Sequence, residues 1–249
     1  MNQAPRILSI AGSDSSGGAG IQADIKTITL LGGYAMTAIT AVTAQSTMGV
    51  TAVETMPAEM VASQIDACIG DIGVDAVKIG MLGSAEIAHV VAERLEGLGV
   101  PIVFDPVMVS TAGSVLADEA TVAAFERLMH VACLTTPNVD ELAALGGDAA
   151  LAALGVAYIA KGGDAPGDTV VDRLILPGHE PQVWTAPRID TRHTHGTGCT
   201  LSSAIATFLG QGAPLAEAIE DARDFVRAAL LAAPGFGKGH GPMGHHAVR

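Results

Sequence analysis

Short apolar segments that alternate with segments of helical spacing restrict the fold of this chain more than any other feature. Strand-like runs are predicted at residues 7–11, 38–44, 50–55, 76–80, 102–105, 134–136 and 157–161. Helices are predicted at residues 21–31, 57–69, 84–95, 118–129, 201–209 and 215–230. This alternation predicts an α/β fold with a mostly parallel sheet that is covered on both faces. Two neighbouring runs, 170–175 and 182–184, predict a small β-hairpin.

Glycines and polar residues follow the predicted strands at the points where the strands end. Gly12, Gly80, Asp105, Asn138 and Lys161 occupy such positions. In open α/β sheets, ligands bind beyond the carboxyl ends of the strands, so these residues predict where a ligand site lies. No repeat, linker or low-complexity segment divides the sequence, which predicts a single domain over residues 1–249.

The composition argues against several classes of protein. The formal net charge of −13 disfavours a broad nucleic-acid or anionic-membrane surface, although local N–H groups and a metal ion still allow a small anionic ligand. The apolar stretches are too short to span a bilayer and the first residues do not resemble a signal peptide, so we expect a cytoplasmic protein. Because the chain has no Cys-x-x-Cys pair, Cys68 and Cys133 are predicted to be small core residues.

A glycine-rich turn precedes the predicted helix at 201–209. Its sequence is His195-Gly196-Thr197-Gly198-Cys199-Thr200. Unpaired N–H groups and the helix dipole at such a turn form an anion-binding site. Cys199 lies at the same point, where a lowered thiol pKa would make it a base or a nucleophile. A plain helix start with a buried cysteine fits these residues equally well.

A second glycine-rich turn, residues 12–20, follows the first predicted strand. It lacks the Gly-Lys-Ser/Thr ending of a Walker A loop and the Gly-x-Gly-x-x-Gly pattern of dinucleotide-binding folds. These absences argue against a P-loop enzyme and against a nucleotide-dependent oxidoreductase. Asp24 lies one helical turn beyond this loop, and its spacing alone favours a solvated helix carboxylate.

Oxygen ligands and lysines complete the pattern. Asp105, Asn138 and Glu141 offer the oxygen atoms that Mg²⁺ prefers, while Asn138 and Glu141 also match a helix capping box, and both roles can coexist. Two of the four lysines, Lys161 and Lys238, are flanked by glycines. Together with the turn around Cys199, these residues predict a phosphoryl-transfer site, which works mainly by positioning and charge neutralisation.

The histidines predict no further site. His193 and His195 are spaced like a zinc pair, but no third ligand lies close to them in the sequence. His245 and His246 fall near the end of the chain and indicate no function.

The same segments, taken in order, resemble one enzyme family from end to end. The two most specific segments are residues 10–24 and 194–200. Shorter matches are Thr43-Ala44-Gln45-Ser46, Lys78-Ile79-Gly80-Met81-Leu82, Asp105-Pro106-Val107-Met108, Thr136-Pro137-Asn138-Val139-Asp140-Glu141, Lys161-Gly162-Gly163-Asp164 and Gly237-Lys238-Gly239-His240-Gly241-Pro242. The chain closely resembles the hydroxymethylpyrimidine and phosphomethylpyrimidine kinases of thiamine biosynthesis, within the ribokinase-like superfamily.

This resemblance implies a ribokinase-like fold, which is a three-layer α/β/α sandwich with a mostly parallel central sheet. It implies an ATP-dependent kinase that phosphorylates 4-amino-5-hydroxymethyl-2-methylpyrimidine and then its monophosphate, to give the diphosphate, with Mg²⁺ as a cofactor. A homodimer is typical of the family, and neither a nucleic acid nor a membrane is implied as a partner.

The resemblance also implies a role for each matching residue. The substrate ring would lie near Gly12, Asp24, Thr43, Gln45, Met81 and Val107, with hydrogen bonds from Asp24 and Gln45 to the ring edge and its amino group. ATP would contact Lys161, Lys238, Asn138 and the turn formed by Gly196, Thr197, Gly198 and Cys199. Mg²⁺ would lie near Asp105 and Glu141, partly through water. Cys199 would take the catalytic place that an aspartate occupies in sugar kinases.

Three departures from the family pattern leave alternatives open. Thr43 stands where an apolar residue is expected beside the ring, Ser110-Thr111-Ala112 stands where a lysine is common, and the segment 142–160 is short. A pyridoxal or pyridoxine kinase, or an enzyme with both activities, is the nearest alternative. A pyrimidine-binding regulator without catalysis is a more distant one.

Overall fold

The fold is described from a computed structural model, which covers residues 4–248. A single sheet of nine strands runs in the order β3-β2-β1-β4-β5-β6-β7-β8-β9. The strands are β1 (Arg6–Asp14), β2 (Tyr34–Ser46), β3 (Gly49–Thr55), β4 (Ala76–Ile79), β5 (Ile102–Phe104), β6 (Leu134–Thr135), β7 (Tyr158–Ala160), β8 (Thr169–Ile175) and β9 (Gln182–Pro187).

The central strands are parallel and the outer ones are antiparallel, which confirms the predicted mostly parallel sheet. β1 pairs in parallel with β2 and β4, and the parallel pairing continues through β5 and β6 to β7. β3 pairs antiparallel with β2 at one edge. At the other edge β8 and β9 form the predicted hairpin.

Helices cover both faces of the sheet, so the fold is the predicted three-layer α/β/α sandwich. The helices are α1 (Gly20–Leu30), α2 (Ala58–Ala67), α3 (Ala85–Leu95), α4 (Glu119–Val131), α5 (Val139–Ala144), α6 (Gly147–Leu154), α7 (Thr197–Gly210) and α8 (Leu215–Leu231). Alternate strand residues supply the two cores: Leu8 packs with α2, α3 and α4, whereas Ile7 packs with α1, α7 and α8. Within residues 4–248, no helix is long and apolar enough to cross a membrane.

Capping side chains set the starts of three helices. The Ser84 side chain accepts a hydrogen bond from the Ile87 N–H at the start of α3, and Asp118 accepts one from the Thr121 N–H at the start of α4. Asn138 and Glu141 form the predicted capping box at the start of α5. α2 is followed by a π-helical turn, Cys68–Ile72, and the short segment 142–160 contains the end of α5, then α6 and β7.

The predicted burial of two cysteines is wrong or incomplete. Cys133 is exposed, because it lies just before β6 rather than within the strand. Cys68 is partly exposed at the turn after α2, although it packs against the core. The apolar run therefore predicted β6 correctly but wrongly included Cys133, which lies at its boundary.

Candidate active site

The carboxyl ends of the parallel strands open into one cavity of about 860 Å³. Its wall includes thirteen of the predicted site residues, which lie near or beyond the ends of strands, at the start of α7, or in α5 and its cap. These are Gly12, Thr43, Gln45, Met81, Asp105, Val107, Asn138, Glu141, Lys161, Gly196, Thr197, Gly198 and Cys199. Two other predicted site residues, Asp24 and Lys238, are not part of this wall.

The first turn of α7 presents backbone N–H groups to the cavity. Gly196 caps the helix with φ +88, a left-handed conformation that favours glycine, and an added Cβ would collide with the Gly18 carbonyl. The N–H groups of Gly198 and Cys199 have no acceptor among residues 4–248. A Cβ on Gly198 would lie 3.2 Å from Lys161 Nζ and 3.4 Å from Asp105 Oδ2. Gly196 and Gly198 thus allow the N-terminus of α7 to lie close to a charged pair, Lys161 and Asp105.

Asp105 and Lys161 form that charged pair at the ends of β5 and β7. Lys161 Nζ donates to Asp105 Oδ1 at 2.8 Å, and Thr136 Oγ1 donates to the same oxygen at 2.8 Å. Burial alone would raise the pKa of the Asp105 carboxyl, but the charges of Lys161 and Lys78 hold that pKa below its usual value. Burial would lower the pKa of Lys161, and the opposing charges of Asp105 and Glu141 raise it. Both groups are therefore ionised at neutral pH.

Glu141 lies on the other side of Lys161 and is less firmly ionised. Its Oε2 atom accepts the Asn138 N–H at 2.8 Å and is 3.8 Å from Lys161 Nζ. Burial raises the pKa of Glu141 to about 7, against the lowering effect of Lys161. No group of three His, Cys, Asp or Glu side chains within the described part of the chain is arranged to hold a metal ion. Two carboxylates facing one cavity do suit Mg²⁺, which takes its remaining ligands from water and phosphate.

The thiol of Cys199 contradicts the expectation of a lowered pKa. Burial raises its pKa to about 11, although the charge of Lys78 and the Gly20 backbone act in the opposite direction. Asp24 and Asp105 add to the increase because they disfavour a second negative charge nearby. The helix N-terminus is therefore outweighed, and the thiol stays protonated at neutral pH.

Asp24 corrects the interpretation drawn from its spacing, because its carboxylate is fully buried rather than solvated. Lys78 Nζ lies 2.9 and 3.0 Å from its two oxygens. Ser9 Oγ donates at 2.5 Å and Ser203 Oγ at 2.7 Å. With its oxygens occupied and no place on the cavity wall, Asp24 is not positioned to contact a bound ring directly.

The wall around Gln45 is partly apolar. Met81 lies so close to Gly12 that an added Cβ there would be 2.6 Å from the Met81 sulfur. Thr43, at the end of β2, is buried, and its hydroxyl is 3.0 Å from both the Ser13 carbonyl oxygen and Gln45 Oε1. This side of the cavity offers an apolar contact beside one amide.

Sequence analysis missed the pairing of Asp14 with His195. His195 Nε2 is 2.8 Å from Asp14 Oδ2, and both side chains are buried. Burial alone would raise the pKa of Asp14, but hydrogen bonds from His195, Ser16 and the Ala19 backbone lower it to about 2. The glycine-rich turn at 12–20 therefore surrounds the Asp14 carboxylate, which is ionised at neutral pH. Nothing in the sequence indicated this contact apart from the presence of both residues in the two most specific motifs.

Arg188 is a second residue that sequence analysis did not identify. Its guanidinium donates to the carbonyl oxygens of Gly163, Ala165 and Gly167 and so holds the loop that follows β7. Lys238 is exposed on another loop, where its backbone N–H donates to Thr47 Oγ1 at 3.1 Å.

His245, for which the sequence indicated no function, is buried against α7. Its Nε2 atom is 2.8 Å from Thr200 Oγ1, and burial lowers its pKa to about 4. The end of the chain therefore supports the first turns of the helix that opens the cavity.

Comparison with known proteins gives a consistent result. The family described as phosphomethylpyrimidine kinase matches residues 14–244. A hydroxymethylpyrimidine/phosphomethylpyrimidine kinase from Streptomyces coelicolor is 45% identical over 255 residues, which cover 97% of this chain and 94% of that enzyme.

Solved structures share the fold over the same length. A pyridoxal kinase from Bacillus subtilis, solved as an ADP complex, superimposes with a TM-score of 0.90 at 33% identity and covers 99% of both chains. A phosphomethylpyrimidine kinase from Clostridium difficile superimposes with a TM-score of 0.75 at 36% identity, covering 90% of this chain and 98% of that one.

Proposed function

The chain belongs to the phosphomethylpyrimidine kinase family, and we propose that it transfers the γ-phosphoryl group of ATP to 4-amino-5-hydroxymethyl-2-methylpyrimidine and then to its monophosphate. The product would be the diphosphate used in thiamine biosynthesis. The observation that supports this most is a single cavity that combines an apolar wall beside the Gln45 amide with a charged wall at Asp105 and Lys161.

The apolar wall would hold the pyrimidine ring. Gly12 and Met81 provide an apolar surface on one side, and Val107 lines the cavity from the segment that follows β5. Gln45 and Thr43 supply the polar groups for the ring edge. We assign Asp24 no direct contact with the ring, because its oxygens already accept hydrogen bonds from the protein.

The charged wall would hold the nucleotide. Lys161, Asn138 and the free N–H groups of Gly198 and Cys199 face the cavity, where they can neutralise phosphate oxygens. Lys238, on its exposed loop, would approach the nucleotide from outside the cavity.

Asp105 and Glu141 would hold Mg²⁺, partly through water. A bound Mg²⁺ would supply charge neutralisation for the ATP phosphates. Lys161 is close to both carboxylates, 2.8 Å from Asp105 and 3.8 Å from Glu141, and its charge offsets part of theirs. Glu141, with a pKa of about 7, loses its proton readily when a cation arrives.

Catalysis by these residues would consist mainly of positioning and charge neutralisation. Lys161 and the N–H groups at the start of α7 stabilise the charge on the phosphoryl oxygens as it moves between donor and acceptor. A thiol with a pKa of about 11 does not accept the proton of the attacking alcohol at neutral pH. Cys199 therefore contributes through its backbone N–H and its fit rather than as a base, with Gly196, Thr197 and Gly198 shaping the same turn.

A coupled assay of ADP release tests the proposal, with the pyrimidine alcohol, its monophosphate and pyridoxal as parallel acceptors. We expect turnover with both pyrimidines. The resemblance to a pyridoxal kinase at a TM-score of 0.90 makes pyridoxal the one competing acceptor that a specific observation favours. Higher kcat/KM with pyridoxal than with the pyrimidine alcohol would overturn the assignment, and no ADP release with any acceptor would favour a pyrimidine-binding regulator.

We further propose that residues 1–249 act as one ribokinase-like domain in a cytoplasmic homodimer. Val42, Met48 and Val53 are exposed on β2, β3 and the turn between them, at one edge of the sheet, and a second subunit could cover them. Sedimentation velocity on the full chain tests the dimer, and a monomer at micromolar concentration would contradict it.

A further inference from the structure

We propose that the Asp14–His195 pair and Thr43 fix the amide orientation of Gln45, so that Gln45 reads the donor–acceptor pattern of a pyrimidine edge in one direction only. The inference rests on the proposed function, because it takes Gln45 as the residue that faces the ring. It assigns a specificity role to three side chains that surround this amide.

Asp14 determines that the Nε2 atom of His195 carries a hydrogen. The Asp14 carboxyl is ionised, since its pKa is about 2, and an ionised carboxylate can only accept hydrogen bonds. His195 Nε2 lies 2.8 Å from Asp14 Oδ2 and must therefore carry a hydrogen. This holds whether the ring is neutral or charged.

Thr43 offers a hydrogen-bond acceptor at the other end of the Gln45 amide. Its hydroxyl has one hydrogen and lies 3.0 Å from the Ser13 carbonyl oxygen, which can only accept. When the hydroxyl donates to Ser13, its lone pairs remain available for a donor from Gln45.

The amide of Gln45 lies between these two groups. Its Oε1 atom is 3.0 Å from Thr43 Oγ1 and its Nε2 atom is 3.3 Å from His195 Nε2, so in this orientation two donors face each other. A rotation of the amide by 180° exchanges its oxygen and nitrogen within the same space. The NH₂ group then donates to Thr43, and the carbonyl oxygen occupies the position 3.3 Å from His195 Nε2, where it accepts the weaker branch of a bifurcated hydrogen bond whose main acceptor is Asp14. We assign this orientation, because it no longer brings two donors together and it leaves the Thr43 hydroxyl free to donate to Ser13.

An amide held in this way offers the cavity one N–H and one carbonyl lone pair in a fixed order. A 4-aminopyrimidine presents a ring nitrogen that accepts and an amino group that donates, which matches that order. A 4-oxo ring presents the reverse, a carbonyl that accepts and a ring N–H that donates. A fixed amide therefore rejects the 4-oxo ring, whereas an amide free to rotate can bind either one.

The test compares kcat/KM for the 4-amino alcohol and its 4-oxo analogue, with ATP as donor. The wild-type enzyme is expected to prefer the amino compound by about 100-fold or more, since a site built on hydrogen bonds rejects a mismatched edge strongly. Thr43→Val and His195→Phe each remove one restraint, and each is expected to reduce this preference about tenfold. Thr207→Val is the matched control, because Thr207 is also buried, donates its hydroxyl to the Ser203 carbonyl and lies outside the cavity wall. Its preference should stay at the wild-type value.

The outcomes separate the two levels of the argument. If Thr43→Val and His195→Phe lower kcat/KM equally for both substrates and leave the preference unchanged, these residues do not fix the amide and the inference is wrong. If the wild-type enzyme does not phosphorylate the amino alcohol at all, the proposed function fails instead. Should His195→Phe not fold, the comparison of Thr43→Val with Thr207→Val decides alone.

Discussion

Two carboxylate–lysine pairs flank the thiol of Cys199, and they differ in how completely they are enclosed. In the first pair, Lys78 and Asp24 are 2.9 Å apart with both side chains 0% exposed. Ser9 and Ser203 donate to the same carboxylate, so its oxygens are saturated by the protein. The carboxylate of this pair therefore has no free oxygen position for a ligand.

The second pair is closed on one side only. Lys161 and Asp105 are 2.8 Å apart, but the lysine side chain is 12% exposed and both residues face the cavity. Glu141 lies 3.8 Å from the same ammonium group. The same two kinds of group therefore serve different purposes: the enclosed pair stabilises the fold under the site, and the open pair can exchange its partners with a nucleotide and a cation.

The largest effect is expected when the enclosed pair is broken. Lys78→Met leaves the Asp24 carboxylate buried without a cation, and we expect the free energy of unfolding to fall by about 3–5 kcal/mol. Denaturant titration followed by circular dichroism measures this. Adding Asp24→Asn should recover most of the loss, because the uncompensated charge is then gone. A loss below about 1 kcal/mol for Lys78→Met would contradict the distinction between the two pairs.

Breaking the open pair should affect activity more than stability. Lys161→Met removes the cation that faces the transferred phosphoryl group, and we expect kcat/KM for ATP to fall about 100- to 1000-fold. The free energy of unfolding should change less than in Lys78→Met, because water in the cavity can solvate Asp105. Lys26→Met, at an exposed lysine outside the cavity wall, is the control and should keep wild-type activity. If Lys161→Met keeps nearly full activity, the pair is structural.

Most of the fold was predictable because its signals are local. Apolar periodicity identified the nine strands and six of the eight α-helices within residues 4–248, but not the short helices α5 and α6, and the strand ends located the cavity. The capping box of Asn138 and Glu141 was also evident, since both residues lie within one helical turn. The boundary error at Cys133 reflects a strand of only two residues, Leu134–Thr135, which leaves little periodicity to measure.

The environment of the charges could not be predicted, because it depends on residues far apart in the chain. Asp24 is enclosed by Lys78, 54 positions away, and by Ser203, 179 positions away. Helical spacing gives the direction of a side chain but not what covers it. The same holds for Cys199: the sequence indicates a helix N-terminus, while the burial that raises the thiol pKa comes from the assembled layers.

A smaller effect is expected from the pH dependence of Glu141 at the open pair. Its pKa is raised to about 7 from 4.5, so its carboxylate form increases as pH rises through 7, and Mg²⁺ requires that form. At Mg²⁺ concentrations below saturation, kcat/KM should increase about fivefold from pH 6 to pH 7, in proportion to the carboxylate form. Higher Mg²⁺ should move the midpoint to lower pH, because bound cation displaces the proton. Glu141→Gln should abolish this shift, and a midpoint independent of Mg²⁺ would show that Glu141 does not meet the metal.

The smallest effect is expected at Cys199, which lies between the two pairs. Because its pKa is about 11, the thiol carries a proton during either phosphorylation. It therefore cannot act as a base for the alcohol, and its removal should not affect the alcohol more than the phosphate monoester. Cys199→Ala keeps the backbone N–H and removes only the thiol, so both rates should fall to a similar extent, by about threefold. Single-turnover rates with each acceptor measure this. A loss confined to the alcohol would show instead that the thiol accepts its proton, and that bound substrates reverse the effect of burial.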